Sequence, residues 1–323
     1  MKGLTNYLKL LHIDEGYKTL MSKNTIEVAI AILLHRSKVL VGWRQENQHQ
    51  GNKHELPGGK VEAGETPEQA CRREIYEEVG IGIKNWHVFD VIRHEYEDVI
   101  VHLHLFHAYV PDELLDLIHQ PWTWYSRDQL SDLNFPKANA AIIQRLVWPH
   151  LIKISEQLTA MPESDCLLYW RIQPQDVDQI EAQLLALSDE QLAKLILNFD
   201  IWQQLDAVIL TKIQTIHLKQ SQLLSLKKAE LPIGKRLIAA CHDAVSLQHA
   251  QQIGCDAVFL SAVNSTDTHP DAKVLGWSGF EQLAKNSDIP VFALGGVAPE
   301  DLEKAQKHNA YGLAGIRQFE SIN

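Results

Sequence analysis

The sequence predicts an α/β chain of two domains: a mixed sheet between helices, then repeated βα units that curl into a barrel. Three observations carry this expectation. Residues 66–80 form an amphipathic helix with clear start and stop signals, flanked on both sides by strand-like apolar runs. Apolar runs at 236–240, 257–263, 290–294 and 312–316 alternate with helical ones, which implies parallel strands joined by right-handed crossovers. The length of 323 residues is that of two domains on the usual scale of about 150 residues each. The expected boundaries are an N-terminal extension over 1–21, a first domain over 22–150, a linker over 151–165 and the barrel over 166–323.

In the first domain, residues 26–34 are an apolar run, 35–38 a polar turn and 39–44 a second strand. Side chains alternate in that strand, so Val39, Val41 and Trp43 face one side and Leu40, Gly42 and Arg44 the other. It leads to Glu55-Leu56-Pro57-Gly58-Gly59-Lys60, where glycines let the backbone approach a ligand closely. Thr66 then caps a helix, Pro67 fits its first turn, Gln69 takes the capping-box position and Gly80 supplies the stop. Cys71, Ile75 and Val79 recur every four residues as the buried stripe. Further strands fit 87–93 and 99–109, and a closing helix fits 137–147. His102, His104 and His107 read as polar positions on the 99–109 strand rather than as a metal site.

The helix carries an unusual charge pattern. Glu74, Glu77 and Glu78 lie at i, i+3 and i+4, so their carboxylates share one face. Three like charges repel unless a cation sits among them, and hard oxygen ligands suit Mg²⁺ or Mn²⁺. An acidic solvated face is the alternative. The glycine loop and Arg73, in register with the glutamates, favour the metal.

Composition narrows the partners. A net charge of −11 argues against a nucleic-acid polymer, because proteins that track phosphate backbones present basic surfaces. The four cysteines, Cys71, Cys166, Cys241 and Cys255, have no C-x-x-C spacing and read as free thiols of a reducing cytoplasm. No apolar run approaches the roughly 18 residues of a membrane span. The first 20 residues mix charges with short apolar stretches and do not form a signal peptide; Met21 begins a more convincing domain.

Gly59, Glu65, Arg73, Glu74, Ile75, Glu77, Glu78, Gly80 and Ile81 match every fixed position of the Nudix box, G-x5-E-x7-R-E-U-x-E-E-x-G-U with U apolar. The first domain therefore resembles a Nudix hydrolase, an α/β/α sandwich acting on nucleoside diphosphate-linked compounds. Gly42-Trp43-Arg44, the 55–60 loop, residues 64–70 and Phe135-Pro136-Lys137-Ala138-Asn139 are similar to the MutT branch, which hydrolyses oxidised guanine nucleotides. That resemblance implies that the Gly58 carbonyl and Glu74, Glu77 and Glu78 hold metal, with Glu74 as base and Arg73 orienting the carboxylates. It also implies that Arg44 and Lys60 meet phosphates, that Asn139 reads the purine edge and that Tyr96 lines the base pocket. One departure stands out: the additional metal-binding glutamate of that branch falls at Ile118 or His119.

Residues 289–301, with Gly295-Gly296, resemble the phosphate-binding strand of thiamine-phosphate synthase and TenI-type barrels. Cys241-His242, the 265–272 loop and Leu275-Gly276-Trp277 extend the likeness over 166–318. It implies a TIM-barrel-like fold with phosphate on the backbone amides of Gly295 and Gly296 at the C-terminal mouth. Phe199 stands after Asn198 where that family places a metal-binding aspartate, and His269 replaces its loop lysine. The segment 167–198 reads as one βα unit short, with a single helical run over 176–187. The implied barrel is degenerate: it binds a phosphorylated small molecule or stabilises the chain.

Two function classes follow. One is a Mg²⁺-dependent nucleoside triphosphate pyrophosphohydrolase, of the 8-oxo-dGTP diphosphatase kind. The other is a ligand sensor or scaffold that hydrolyses nothing. The intact box favours the first.

Overall fold

Alternation along one central strand organises the first unit. In a computed structural model that describes residues 23–46, 51–158, 161–162, 165–173, 177–266, 273–320 and 322, the chain divides into two compact units that meet in sequence between Trp148 and Pro149. The expected N-terminal extension over 1–21 lies outside the described residues. Strand β1 (Asn24–His35) pairs antiparallel with β2 (Lys38–Arg44), and β2 pairs with β3 (Lys53–Glu55). The short β4 (Gly58–Lys60) also lies against β1. On the other side β1 runs parallel to β6 (Val99–Tyr109), which pairs antiparallel with β5 (His87–Glu95); β7 (Thr123–Tyr125) adds to β2. The sheet is mixed, as expected.

Because side chains of a strand point alternately to opposite faces, β1 is apolar on both. Ala29, Ala31 and Leu33 face helix α1 (Pro67–Glu78), which packs Ala70, Cys71 and Ile75 against them. Ile30, Ile32 and Leu34 face helix α2 (Ala140–Leu146), which contributes Ile142, Ile143 and Leu146. Each fully buried residue of this size contributes about 1.5–3 kcal/mol. The α1 capping box is complete: Gln69 N donates to Thr66 Oγ1 and Thr66 N donates to the Gln69 side chain. At the other end the Trp122 indole N–H donates to the Glu78 carbonyl at 2.9 Å, satisfying a group that the helix itself leaves unpaired.

The second unit is the expected barrel, but it is complete. It is a closed barrel of eight parallel strands, in the order β10-β11-β12-β13-β14-β15-β8-β9. Four of them, β12 (Arg236–Cys241), β13 (Ala257–Ser261), β14 (Val291–Leu294) and β15 (Gly312–Gly315), are those read from the sequence. The first half supplies β9 (Cys166–Trp170), β10 (Leu195–Asn198) and β11 (Thr215–Leu218). The missing strand is β8 (Leu151–Ser155), which lies inside the segment expected to be a linker. It pairs with β15 through Leu151 and Leu313 and with β9 through Leu151 and Cys166, so it closes the ring. Residues 151–155 are part of the barrel, and the barrel is not one unit short. Two helices, Val177–Leu185 and Asp189–Lys194, stand where one was expected.

Candidate active site

The box glutamates owe their positions to α1 and to the glycine loop beneath it. Ala29 lies opposite Gly59 and Ile30 opposite Gly58, so β4 is held flat against β1. A side chain on Gly59 would collide with the Glu74 carboxylate, and one on Gly58, whose φ is +148°, would collide with the Ala29 carbonyl. Only glycine admits this approach of loop to helix.

Arg73 is the hub. Its Nη2 donates to Glu65 Oε1 at 2.7 Å and its Nε to Glu65 Oε2 at 3.3 Å, a two-pronged grip. Nη1 donates to Glu74 Oε1 at 2.8 Å and to Glu77 Oε2 at 3.3 Å, and Nη2 reaches the Lys60 carbonyl at 3.1 Å. Glu65 also accepts from the Glu62 N–H at 2.7 Å. The Arg73 hydrogen bonds, then that N–H, hold its carboxyl below the usual range. One cation thus fastens three of the glutamates and the loop.

Glu78 is held differently. Its Oε2 accepts from the Gly58 N–H at 3.0 Å. The residue as a whole is exposed, yet enough protein surrounds the carboxylate that desolvation raises its pKa to about 7. The Gly58 N–H and Arg44 oppose this rise, and the charges of Glu55 and Glu74 add to it. Arg44 forms an ion pair with Glu55 across the β2–β3 hairpin. The structure therefore gathers Glu65, Arg73, Glu74, Glu77 and Glu78 along α1 and its glycine loop, with the Arg44–Glu55 pair beside Glu78.

A divalent cation fits this set chemically: the donors are hard carboxylate oxygens and Glu78 lies among like charges that a cation would relieve. Among the described residues, no three His, Cys, Asp or Glu side chains converge closely enough to complete a coordination sphere. Glu74 and Glu77 are turned to Arg73 instead.

The other expected residues are more dispersed. Lys60 is exposed at the end of β4. Asn139 is buried at the start of α2 and makes no side-chain capping bond, so it is not simply a helix cap. Tyr96 sits in the exposed turn between β5 and β6, its ring edge-on to His94 at 4.5 Å. Ile118 packs against the core on the α1 face and offers no ligand. Glu55 was quoted in the loop motif without a role; its pairing with Arg44 follows from the hairpin register, in which Gly42 faces Glu55. His102 and His104 bind the two oxygens of Glu27 at 2.9 and 2.6 Å, which accounts for the polar strand face.

Comparison with known proteins identifies relatives of both units. The family model described as NUDIX domain matches residues 25–146. A relative named 8-oxo-dGTP diphosphatase, from Escherichia coli (strain K12), is 35% identical over 125 residues, covering 38% of this chain and 95% of the relative. The chain belongs to the Nudix family. Another relative from the same organism, named CTP pyrophosphohydrolase, is 36% identical over 120 residues, covering 36% of the chain and 86% of the relative. The family model described as Thiamine monophosphate synthase matches residues 170–319. A relative named putative thiamine-phosphate synthase 2, from Aquifex aeolicus (strain VF5), is 35% identical over 80 residues, or 25% of this chain; the match spans less than half, 43%, of that relative. The Nudix unit is thus a hydrolase domain, joined to a barrel that is similar to thiamine monophosphate synthase over residues 170–319.

The barrel carries a cavity of about 1170 Å³ at the C-terminal ends of its strands, lined by Arg171, Lys219, His242, Gly295, Gly296 and Arg317 among others. The glycine pair is fixed by Asn264, whose backbone N–H donates to the Gly295 carbonyl at 3.0 Å and whose side chain donates to the Gly296 carbonyl at 2.7 Å. Phe199 is buried, and Asn198 is tied to Gln222 at 3.2 Å and to the Asp200 N–H at 3.1 Å. His269 lies outside the described residues. Among the described residues no helix is long and apolar enough to cross a membrane.

Proposed function

We propose that the Nudix unit is a Mg²⁺-dependent (or Mn²⁺-dependent) nucleoside triphosphate pyrophosphohydrolase that takes 8-oxo-dGTP-like nucleotides and releases nucleoside monophosphate and pyrophosphate. The observation that carries this reading is the Arg73 hub with Glu78 on the Gly58 N–H, beside the likeness to 8-oxo-dGTP diphosphatase at 35% identity over 95% of that relative. Glu74, Glu77, Glu78 and the Gly58 carbonyl would hold the metal, which when bound neutralises phosphate charge and activates water. Glu74, tethered to Arg73 at 2.8 Å, takes the water proton, and Arg73 keeps the carboxylates aligned. Arg44 and Lys60 steady the phosphates, Asn139 reads the base with an amide that both donates and accepts, and Tyr96 borders the base. The role in the cell is removal of damaged nucleotides before they enter DNA, in the cytoplasm.

A pyrimidine nucleotide is the second reading, favoured by the equal likeness to CTP pyrophosphohydrolase. A screen of nucleoside triphosphates and sugar nucleotides with Mg²⁺, reading pyrophosphate release, separates the two. The first reading expects the highest kcat/KM on 8-oxo-dGTP; highest activity on CTP or on a sugar nucleotide overturns it.

For the barrel we propose phosphate binding at Gly295 and Gly296 without thiamine phosphate synthesis. The support is chemical. A pyrophosphate-displacing reaction needs a metal at the leaving group, and Phe199 cannot ligate one.

A further inference from the structure

Strand β3 carries a titratable side chain, His54, that bridges two parts of the Nudix unit. On one face of β3, Glu55 pairs with Arg44 beside the box glutamates. On the opposite face, one residue earlier, stands His54. Its backbone N–H donates to the Asn134 carbonyl at 2.8 Å, and its ring Nδ1 accepts from the Asn134 N–H at 3.1 Å. The Asn134 side chain donates to the Asn52 carbonyl at 3.0 Å, a third bond between the same two segments. The ring is enclosed by Trp43 at 4.8 Å, Phe135 at 5.9 Å and Tyr125 at 6.0 Å. From Asn134 the chain runs through Phe135 and Pro136 directly into the turn that buries Asn139.

The bonding fixes the form of the ring. An Nδ1 that accepts an N–H must be unprotonated, so the hydrogen of neutral His54 sits on Nε2. Burial lowers the pKa of this group, which keeps the acceptor available.

We propose that His54 is a positioning residue that locks the 134–139 segment to β3, and so sets the distance between the phosphate end at Arg44 and the base-reading amide of Asn139. This rests on the reading of Asn139 given above. The specificity would depend on where the acceptor sits, not only on its presence. Asparagine places a carbonyl oxygen near the Nδ1 position, whereas glutamine carries it one bond further out.

The experiment compares the full chain with His54→Asn, His54→Gln and His54→Phe, using 8-oxo-dGTP and dGTP with Mg²⁺. Two readouts are taken: kcat and KM for each nucleotide, and hydrogen exchange over residues 133–139 without nucleotide. His54→Gln and His54→Phe should raise KM for 8-oxo-dGTP about five- to tenfold, the size of one lost hydrogen bond, with kcat near wild type. Both should speed exchange at the Asn134 amide and narrow the discrimination between the nucleotides. His54→Asn should restore all three. If His54→Phe does not fold, the Asn and Gln pair carries the comparison. Unchanged Asn134 exchange in His54→Gln overturns the lock, as does a loss of kcat with KM unchanged. Asn139→Ala is run alongside. Wild-type discrimination in that variant overturns the base reading, and the lock is then judged by exchange alone, which does not depend on Asn139.

Discussion

Asn139 and His217 are two buried polar residues with opposite consequences. Asn139 is buried without serving as a cap, so its amide is available to a base. Asn139→Ala should leave kcat on a poorly discriminated nucleotide near normal. It should cost about 1–3 kcal/mol of the preference for 8-oxo-dGTP over dGTP, because polar groups of the base are left unpaired. The check is the ratio of kcat/KM values; equal losses on both nucleotides would reject the role. His217, in the barrel, stacks between Tyr169 at 4.5 Å and Phe259 at 5.6 Å, with its Nδ1 buried and unbonded. Burial first, then the Lys219 charge, pushes its pKa down to about 3. In the unfolded chain the group titrates near the ordinary 6.5. Between those values the unfolded state binds the proton and the folded state does not. The contribution is therefore fully present above pH 6.5 and is lost progressively as pH falls toward 3, at up to about 1.4 kcal/mol per pH unit. His217→Phe should flatten the acid limb of the barrel's stability curve, measured by urea unfolding from pH 7 to 4; an unchanged slope would contradict this. Neither environment was legible in the sequence, since burial of a single polar residue depends on what folds over it.

Among the elements, the box helix was the most legible and β8 the least, for the same physical reason. Helix α1 is specified by contacts within a few residues: the Thr66 and Gln69 capping box, Pro67 at the start and an apolar stripe every four residues. Its charged face is specified as locally, by the spacing of Glu74, Glu77 and Glu78. Glu55 was missed because its meaning comes from pairing across a hairpin. Strand β8 is five residues, Leu-Ile-Lys-Ile-Ser, and Leu151 finds its partners 15 residues along in Cys166 and near the far end of the chain in Leu313. Short buried parallel strands lack the clear alternation of a half-exposed one. Nothing local separates such a strand from a linker. The consequence is testable. A fragment of residues 149–323 should unfold cooperatively, whereas one beginning at 166 loses the strand that joins β15 to β9 and should be aggregated or unfolded. Circular dichroism melts compare the two, and a cooperative melt of the 166 fragment would contradict the role of β8.

For the molecule as a whole, all the box residues and Asn139 belong to one compact unit and the Gly295-Gly296 loop to the other. Residues 22–148 expressed alone should therefore keep nucleotide hydrolysis within about threefold of the full chain, since surface changes away from a site alter stability little. Residues 149–323 should make no thiamine phosphate from the pyrimidine pyrophosphate and thiazole phosphate. Product formation by that fragment would overturn the degenerate reading, and a folded but inactive Nudix fragment would show that the barrel completes the site. The net charge of −11 is no obstacle to a nucleotide that arrives complexed with its cation. The central claim is pyrophosphohydrolysis at the carboxylate cluster, and phosphorus NMR of the full chain with 8-oxo-dGTP and Mg²⁺ tests it directly, beside Glu78→Gln. Glutamine can still accept from the Gly58 N–H, so the variant should fold as the wild type does. The wild type should release pyrophosphate and nucleoside monophosphate, and turnover should be lower by about two orders of magnitude or more in the variant. Orthophosphate and nucleoside diphosphate as products, or a Glu78→Gln enzyme with near-normal turnover at saturating Mg²⁺, would contradict that claim.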